Sequence, residues 1–394
     1  MSYDAIWRWP PDWSRDVIEQ IEYLTDVQET RSGAEARRRI RTDPRRSVEY
    51  TTIQLDSGHP SAISRYDSLH QMQAELWGND IDRWLIPLWW DVADAVWDEQ
   101  NGGFFGGDIG RWRDWNDDGY TVFESGGQWF SDEVVLVENG AVFVSSMVDL
   151  EDGTSVRIYP AYPAAIHADQ TFDRPSTGVS RLEVRADFID YVGPEPLEFG
   201  TYQQRDVLLE RYDRSTSSTS TQSRITHVVD FSTGRVEYYD DAGRPYVDHD
   251  LTYTFRNKAD IWEIRRWLQH LGGEHRDFWT PTYDTDLDVV GVDGSTLIVE
   301  PIGWSEHYAG DLGRQHIYLD TEMGLVIGEV TSAEIIDGLE HIEIAAPIPV
   351  DADGIKTVSW LERRRLASDT ITFDWIRPHI AQIDLPQRMI SETL

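Results

Sequence analysis

The sequence predicts a mainly β (α+β) fold in which one β-rich module is used twice in tandem, each copy with a flanking short helix, behind an N-terminal helical arm. Three observations carry this. The first is a compound stretch late in the chain. From Leu251 to Lys258 apolar and polar residues alternate, the mark of a strand. Over 259–271, Ile261, Ile264, Trp267 (or Leu268) and Leu271 recur at three-to-four-residue spacing, the mark of an amphipathic helix. Gly272-Gly273 stops it, and Phe278, Trp279 and Pro281 begin a new extended segment. The second observation is an earlier copy of the same order. It has a strand over 48–55, a helix marked by Leu69, Met72, Leu76 and Trp77, and a stop at Gly78. Pro87 then stands where Pro281 stands. The third is agreement downstream: the turn at Asp152-Gly153 and its strand match the turn at Asp337-Gly338 and its strand, and 180–188 matches 368–375.

Taken in order, residues 1–46 read as the arm. Trp7, Trp9 and Trp13 surround Pro10-Pro11, and Ser14 caps a predicted helix over 15–29 with Val17, Ile18, Ile21, Leu24 and Val27 on its apolar stripe. Arg37, Arg38, Arg39, Arg41, Arg45 and Arg46 form the one dense basic run. It either pairs with the chain's own acids or docks onto an acidic neighbouring subunit, where arginine suits carboxylates. Trp7, Trp9, Trp13, Arg37, Arg38, Arg39, Arg45 and Arg46 are therefore the candidate interface residues, and the arm is expected to pack on a neighbour. Residues 47–195 are the first module, with an insertion at 98–128 rich in Gly, Asp and Trp. Residues 196–225 are a connector, flexible over the Ser/Thr run from Ser215. Residues 226–394 are the second module and a loose tail from Leu385, with a hairpin expected to turn at Thr233-Gly234.

Composition narrows the function classes. The chain of 394 residues has room for two or three cores. No apolar run reaches the roughly 18 residues of a membrane span, and the N-terminus has neither basic nor apolar signal regions. Cysteine is absent, which removes disulfides and thiol chemistry. Acids outnumber bases 71 to 35, for a net charge of −36, and Lys258 and Lys356 are the only lysines. That argues against specific nucleic-acid binding. It suits a salt-adapted surface or an assembly with a negative lumen. The 17 tryptophans read as core and interface anchors, or, in the sharper reading, as sugar-stacking platforms.

No residue stands out as catalytic, cofactor-binding or metal-ligating. His270 and His275 flank a glycine pair that breaks the helix a zinc motif needs. Asp284, Asp286 and Asp288 alternate as in a calcium loop, but Val289 replaces the required glycine. No phosphate loop and no nucleophile elbow occurs.

The lead-in from Trp7 to Ser14, the segment from Asp43 to Tyr50, the segment from Phe278 to Leu287 and Arg363-Arg-Arg-Leu-Ala-Ser-Asp-Thr-Ile resemble minor tail proteins of long-tailed, non-contractile bacteriophages. The resemblance implies two tandem tail-tube-like β-barrels and no catalytic residues. It implies a distal-tail or baseplate-hub role, in which a virion ring joins the tail tube to the host-recognition apparatus. The protein would be made in the host cytoplasm and partner the tail tube protein and other tail-tip proteins. With two barrels per chain, three copies would match sixfold symmetry; alternatively, six copies would form two stacked rings. The alternatives are a carbohydrate-binding or carbohydrate-active protein, motivated by Trp112, Trp115 and Trp129, and a salt-adapted protein of another function.

Overall fold

The computed structural model describes residues 5–30, 34–55, 72, 76–77, 83–106, 120–125, 128–138, 141–144, 150–167, 171–176, 179–189, 191–215, 219–223, 226–230, 232, 234, 236–240, 246–307 and 314–390. Strands dominate, and 23 of them join into one sheet system. The sheets are open, and no barrel closes among the described residues.

The chain builds the same unit twice. In the first repeat, Arg45–Leu55 pairs antiparallel with Val179–Phe188. The other edge of Val179–Phe188 pairs with Thr171–Ser176 and then with the end of Ser155–Ile166, which also pairs with Trp84–Pro87. In the second repeat, Tyr246–Phe255 pairs with Ile380–Met389. That strand pairs with Thr370–Arg377 and then with the end of Ile355–Leu366, which also holds Asp277–Pro281. The registers agree: Tyr50 lies opposite Val184 as Leu251 lies opposite Leu385, the second pair displaced from the first by 201 residues on both strands. Pro87 and Pro281 occupy equivalent places, opposite Ala161 and Leu361. Between these strands, both repeats run through the same succession of hairpins, ending at Ala141–Val144 and Leu339–Ile344.

The repeat begins before residue 46. Val17–Glu22 and Thr219–Ser223 lie on equivalent strands, with Ile18 opposite Glu49 and Thr219 opposite Asp250. The hairpin Thr25–Glu29/Glu35–Arg39 has its counterpart in Thr226–Asp230/Val236–Asp240. The Asp12 amide bonds the Thr51 carbonyl as the Asp213 amide bonds that of Thr252. The Trp7 amide bonds Leu85 as the Leu208 amide bonds Trp279.

These observations correct several expectations. No helix forms over 15–29; the segment is two strands, and Val17, Glu19 and Ile21 point into the core while Gln20 faces out. Val17 and Ile21 fit both periods, and a glutamate between them at an inward position hid the period of two. The run after Ser215 contains the strand Thr219–Ser223, because Thr-rich backbone pairs readily beside Tyr246–Asp250. The strand Ile380–Met389 continues through the expected tail. The downstream matches are misassigned: Ser155–Ile166 corresponds to Ile355–Leu366, and Val179–Phe188 to Ile380–Met389. Turn-plus-alternation is common to every hairpin, so only pairing partners identify a strand.

The helix Lys258–Leu271 forms as its spacing predicts. The Asn257 side chain accepts the Asp260 amide, and Gly272, at φ 66°, returns its amide to Leu268. Ile261, Ile264, Trp267, Leu268 and Leu271 enter the main core. Eleven of the tryptophans are buried, which favours the anchor reading: Trp7, Trp9, Trp84, Trp89, Trp90, Trp97, Trp267, Trp279, Trp304, Trp360 and Trp375. Residues 107–119 of the expected insertion, with Trp112 and Trp115, lie outside the described residues, as does the side chain of Trp129.

Candidate assembly surface

The two repeats meet at Val17–Glu22. This strand pairs on one edge with Arg45–Glu49 of its own repeat and on the other with Thr370–Trp375 of the second repeat. The sheets thus become one, with the repeats side by side. The joint is locked by Glu19, which is fully buried. Arg265 from the helix of the second repeat donates to both carboxylate oxygens at 2.8 and 2.7 Å. Arg46 donates at 2.6 Å and the Trp375 indole at 2.8 Å. Burial alone would raise the Glu19 carboxyl. The Arg265 and Arg46 charges, with hydrogen bonds from Arg265 and Trp375, outweigh it and hold the group at about 2. Arg46 also sits among the rings of Tyr162, Phe188 and Tyr191, 4.9–5.3 Å from their centroids.

A second contact reinforces the joint. The hairpin Thr25–Glu29/Glu35–Arg39 lies over the end of the helix in the second repeat. Asp369 accepts the amides of Thr25 and Glu274 at 2.5 and 3.0 Å. Arg37 reaches Asp277 at 3.0 Å, a carboxylate also held by Arg205 and Arg363. Arg365 grips Glu35 at 2.7 and 2.9 Å.

The candidate interface residues therefore divide. Trp7 and Trp9 are buried in the chain's own core, edge-on to each other at 4.6 Å, and Trp13 packs against that core. Arg37 and Arg46 pair with carboxylates of this chain, and Arg39 bonds the Arg41 carbonyl and lies over Tyr23. This corrects the detached arm: its residues join the two repeats of one chain. Arg38 and Arg45 remain exposed.

The face of the joined sheet opposite the core is polar. By strand alternation, Glu22, Glu49, Glu183, Asp187, Asp248, Asp250, Asp374 and Asp384 point there, against Arg45, Arg181, Arg185 and Arg388. Partial burial, then the neighbouring charges of Asp384 and Asp16, raise the Asp374 carboxyl. The remaining sequence motifs are structural. Asp286 accepts the Trp360 amide at 2.9 Å and the Thr282 hydroxyl, and Asp284 accepts Arg214. His270 lies 3.6 Å from Asp206, whose other partner is the Trp267 indole. Among the described residues no group of three or more His, Asp or Glu converges as a metal site would, and no helix is long and apolar enough to cross a membrane.

The joint was missed in the sequence because its partners lie far apart: Glu19, Arg46, Arg265 and Trp375 converge only through the strand pairings. The signal present was an acid in an otherwise alternating apolar strand. No protein-family model matches this chain, and no curated protein aligns with it.

Proposed function

We propose that this chain is a structural protein of the tail tip of a long-tailed bacteriophage, forming a ring between the tail tube and the host-recognition apparatus. The observation that carries the reading is the duplicated unit whose copies lie side by side in one sheet. Side-by-side repeats occupy adjacent positions of the same ring, so three copies supply six positions and match a sixfold tube; stacked rings would instead place the repeats one above the other. Among the described residues the sheets are open, and the second repeat carries the flanking helix Lys258–Leu271, in keeping with a tube-type barrel that closes only between neighbours. The tail tube protein and other tail-tip proteins are its expected partners, and the virion tail tip its expected location.

The polar face of the joined sheet is the wall that would line the channel. DNA must pass such a wall without being held, and carboxylates repel phosphate whereas exposed arginines retain it. The excess of acids on this face and the pairing of Arg37 and Arg46 inside the protein favour that role. An antibody against the chain should decorate one end of the tail in long-tailed virions that contain it. Decoration of heads, or a protein absent from particles, would contradict the proposal.

A further inference from the structure

Among the described residues the joint between the repeats is used once within the chain, and its two halves recur unpaired at opposite edges of the joined sheet. In the second repeat, Thr370–Arg377 is covered by Val17–Glu22, and the helix end at Leu271 is covered by Tyr23, Thr25 and Arg39. The first repeat has the equivalents, Thr171–Ser176 and the helical residue Trp77. No strand covers Thr171–Ser176 among the described residues apart from its own hairpin partner. Trp77 is 61% exposed, whereas Leu271 is 1% exposed, and it rests against Phe172 at 5.5 Å.

The covering pieces also have unused equivalents. Thr219–Ser223 pairs with Tyr246–Asp250 on one edge, and every one of its residues is exposed. The next hairpin displays Val228, Val229, Val236 and Tyr238, the last 71% exposed. The corresponding residue to Tyr238 in the first repeat is Arg37, which is seated on Asp277. Among the described residues, an uncovered strand edge beside an exposed indole, and a strand with one open edge leading into an apolar hairpin, are complementary halves of one contact.

We infer that a second copy of this chain completes the contact. Thr219–Ser223 of one copy pairs antiparallel with Thr171–Ser176 of the next, and the hairpin closes over Trp77. The internal joint fixes the register. Ile18, Glu19 and Gln20 lie opposite Asp374, Phe373 and Thr372. Moving both sides by the repeat spacing places Thr219, Ser220 and Thr221 opposite Asp173, Phe172 and Thr171. Pro175, which has no N–H to donate, stands just past this register and ends the pairing. The contact is head-to-tail, so copies close into a ring rather than a twofold dimer. It also differs in chemistry. Ser220 stands where Glu19 stands, and Val247 where Arg46 stands, so contact between copies lacks the buried ion pair and rests on strand pairing and apolar cover.

This inference rests on the ring reading, and a cysteine pair separates the two. The chain has no cysteine. Directly opposed residues in an antiparallel pair lie about 4.5–5.5 Å apart at Cα, within disulfide reach. Thr171→Cys with Thr221→Cys, mildly oxidised, should give a covalent closed trimer that reductant dissolves; each substitution alone should give no such species. Gln20→Cys with Thr372→Cys is the internal control and should cross-link within one chain. Trp77→Ser and Tyr238→Ser, both at exposed positions, should each weaken assembly at least about tenfold without lowering the melting temperature. Rings that assemble but do not cross-link, while the control pair closes, would overturn this edge pairing and leave the ring reading standing. Monomers throughout, with the control closed, would overturn both. An open ladder of cross-linked copies would support the pairing and contradict ring closure.

Discussion

Replacing Glu19 by glutamine should release the strand that joins the two repeats. The carboxylate neutralises two buried guanidinium groups and accepts four hydrogen bonds, from Arg265 twice, Arg46 and Trp375. Glutamine keeps the shape but leaves Arg265 and Arg46 without a counter-charge, a change that costs about 3–5 kcal/mol for buried pairs. Titration of the carboxyl leads to a similar figure. It is lowered from 4.5 to about 2, which at about 1.4 kcal/mol per unit corresponds to roughly 3 kcal/mol. Because the folded value lies below the unfolded one, this contribution is complete above about pH 4.5 and fades as the pH falls towards 2. Native-state hydrogen exchange of Val17–Glu22 reads the opening directly. At pH 7 the substitution should speed exchange there by about a hundredfold or more. Exchange within about threefold of the parent would refute the reasoning.

The same joint and its supports govern three further outcomes. Deleting residues 1–46 should not leave two folded units: it removes Val17–Glu22, Trp7 and Trp9 from the core, so the truncated chain should bind a hydrophobic dye and aggregate, and a soluble chain with the parent's melting temperature would contradict this. Gly273→Ala should lower the melting temperature, because at φ +74° its Cβ would come 2.2 Å from Asp369 Oδ1 and 2.9 Å from Tyr23 Cβ, with an expected cost of about 1–3 kcal/mol; an unchanged melting curve would show that the hairpin contact adapts. Asn257→Ala should destabilise the helix Lys258–Leu271 by about 1 kcal/mol through loss of the cap to the Asp260 amide, and Asn257→Asp should preserve stability.

Much of the fold was legible where local chemistry was unambiguous. The helix Lys258–Leu271 announced itself by spacing and a glycine stop, although its asparagine cap went unread, and the hairpin Thr226–Asp230/Val236–Asp240 by alternation around Thr233-Gly234. Duplication was legible from Pro87 and Pro281, which mark the same place in equivalent strands. The start of the repeat was not. Val17, Ile18 and Ile21 satisfy helical spacing, and only pairing with Arg45–Glu49 and Thr370–Trp375 decides for a strand. Thr219–Ser223 read as a linker because its composition is that of one, yet it is the equivalent of a central strand. The assembly surface depends on which edges remain uncovered, and no local pattern in Thr171–Ser176 or Trp77 carries that information.

If the duplicated unit supplies six ring positions from three chains, the native mass of the assembled protein is the most direct test. Three copies of the 45.4 kDa chain, appearing in projection as a ring of six similar lobes with true threefold symmetry, is the predicted result. A species that stays at the mass of one chain at every concentration, or a ring of six chains, would contradict it.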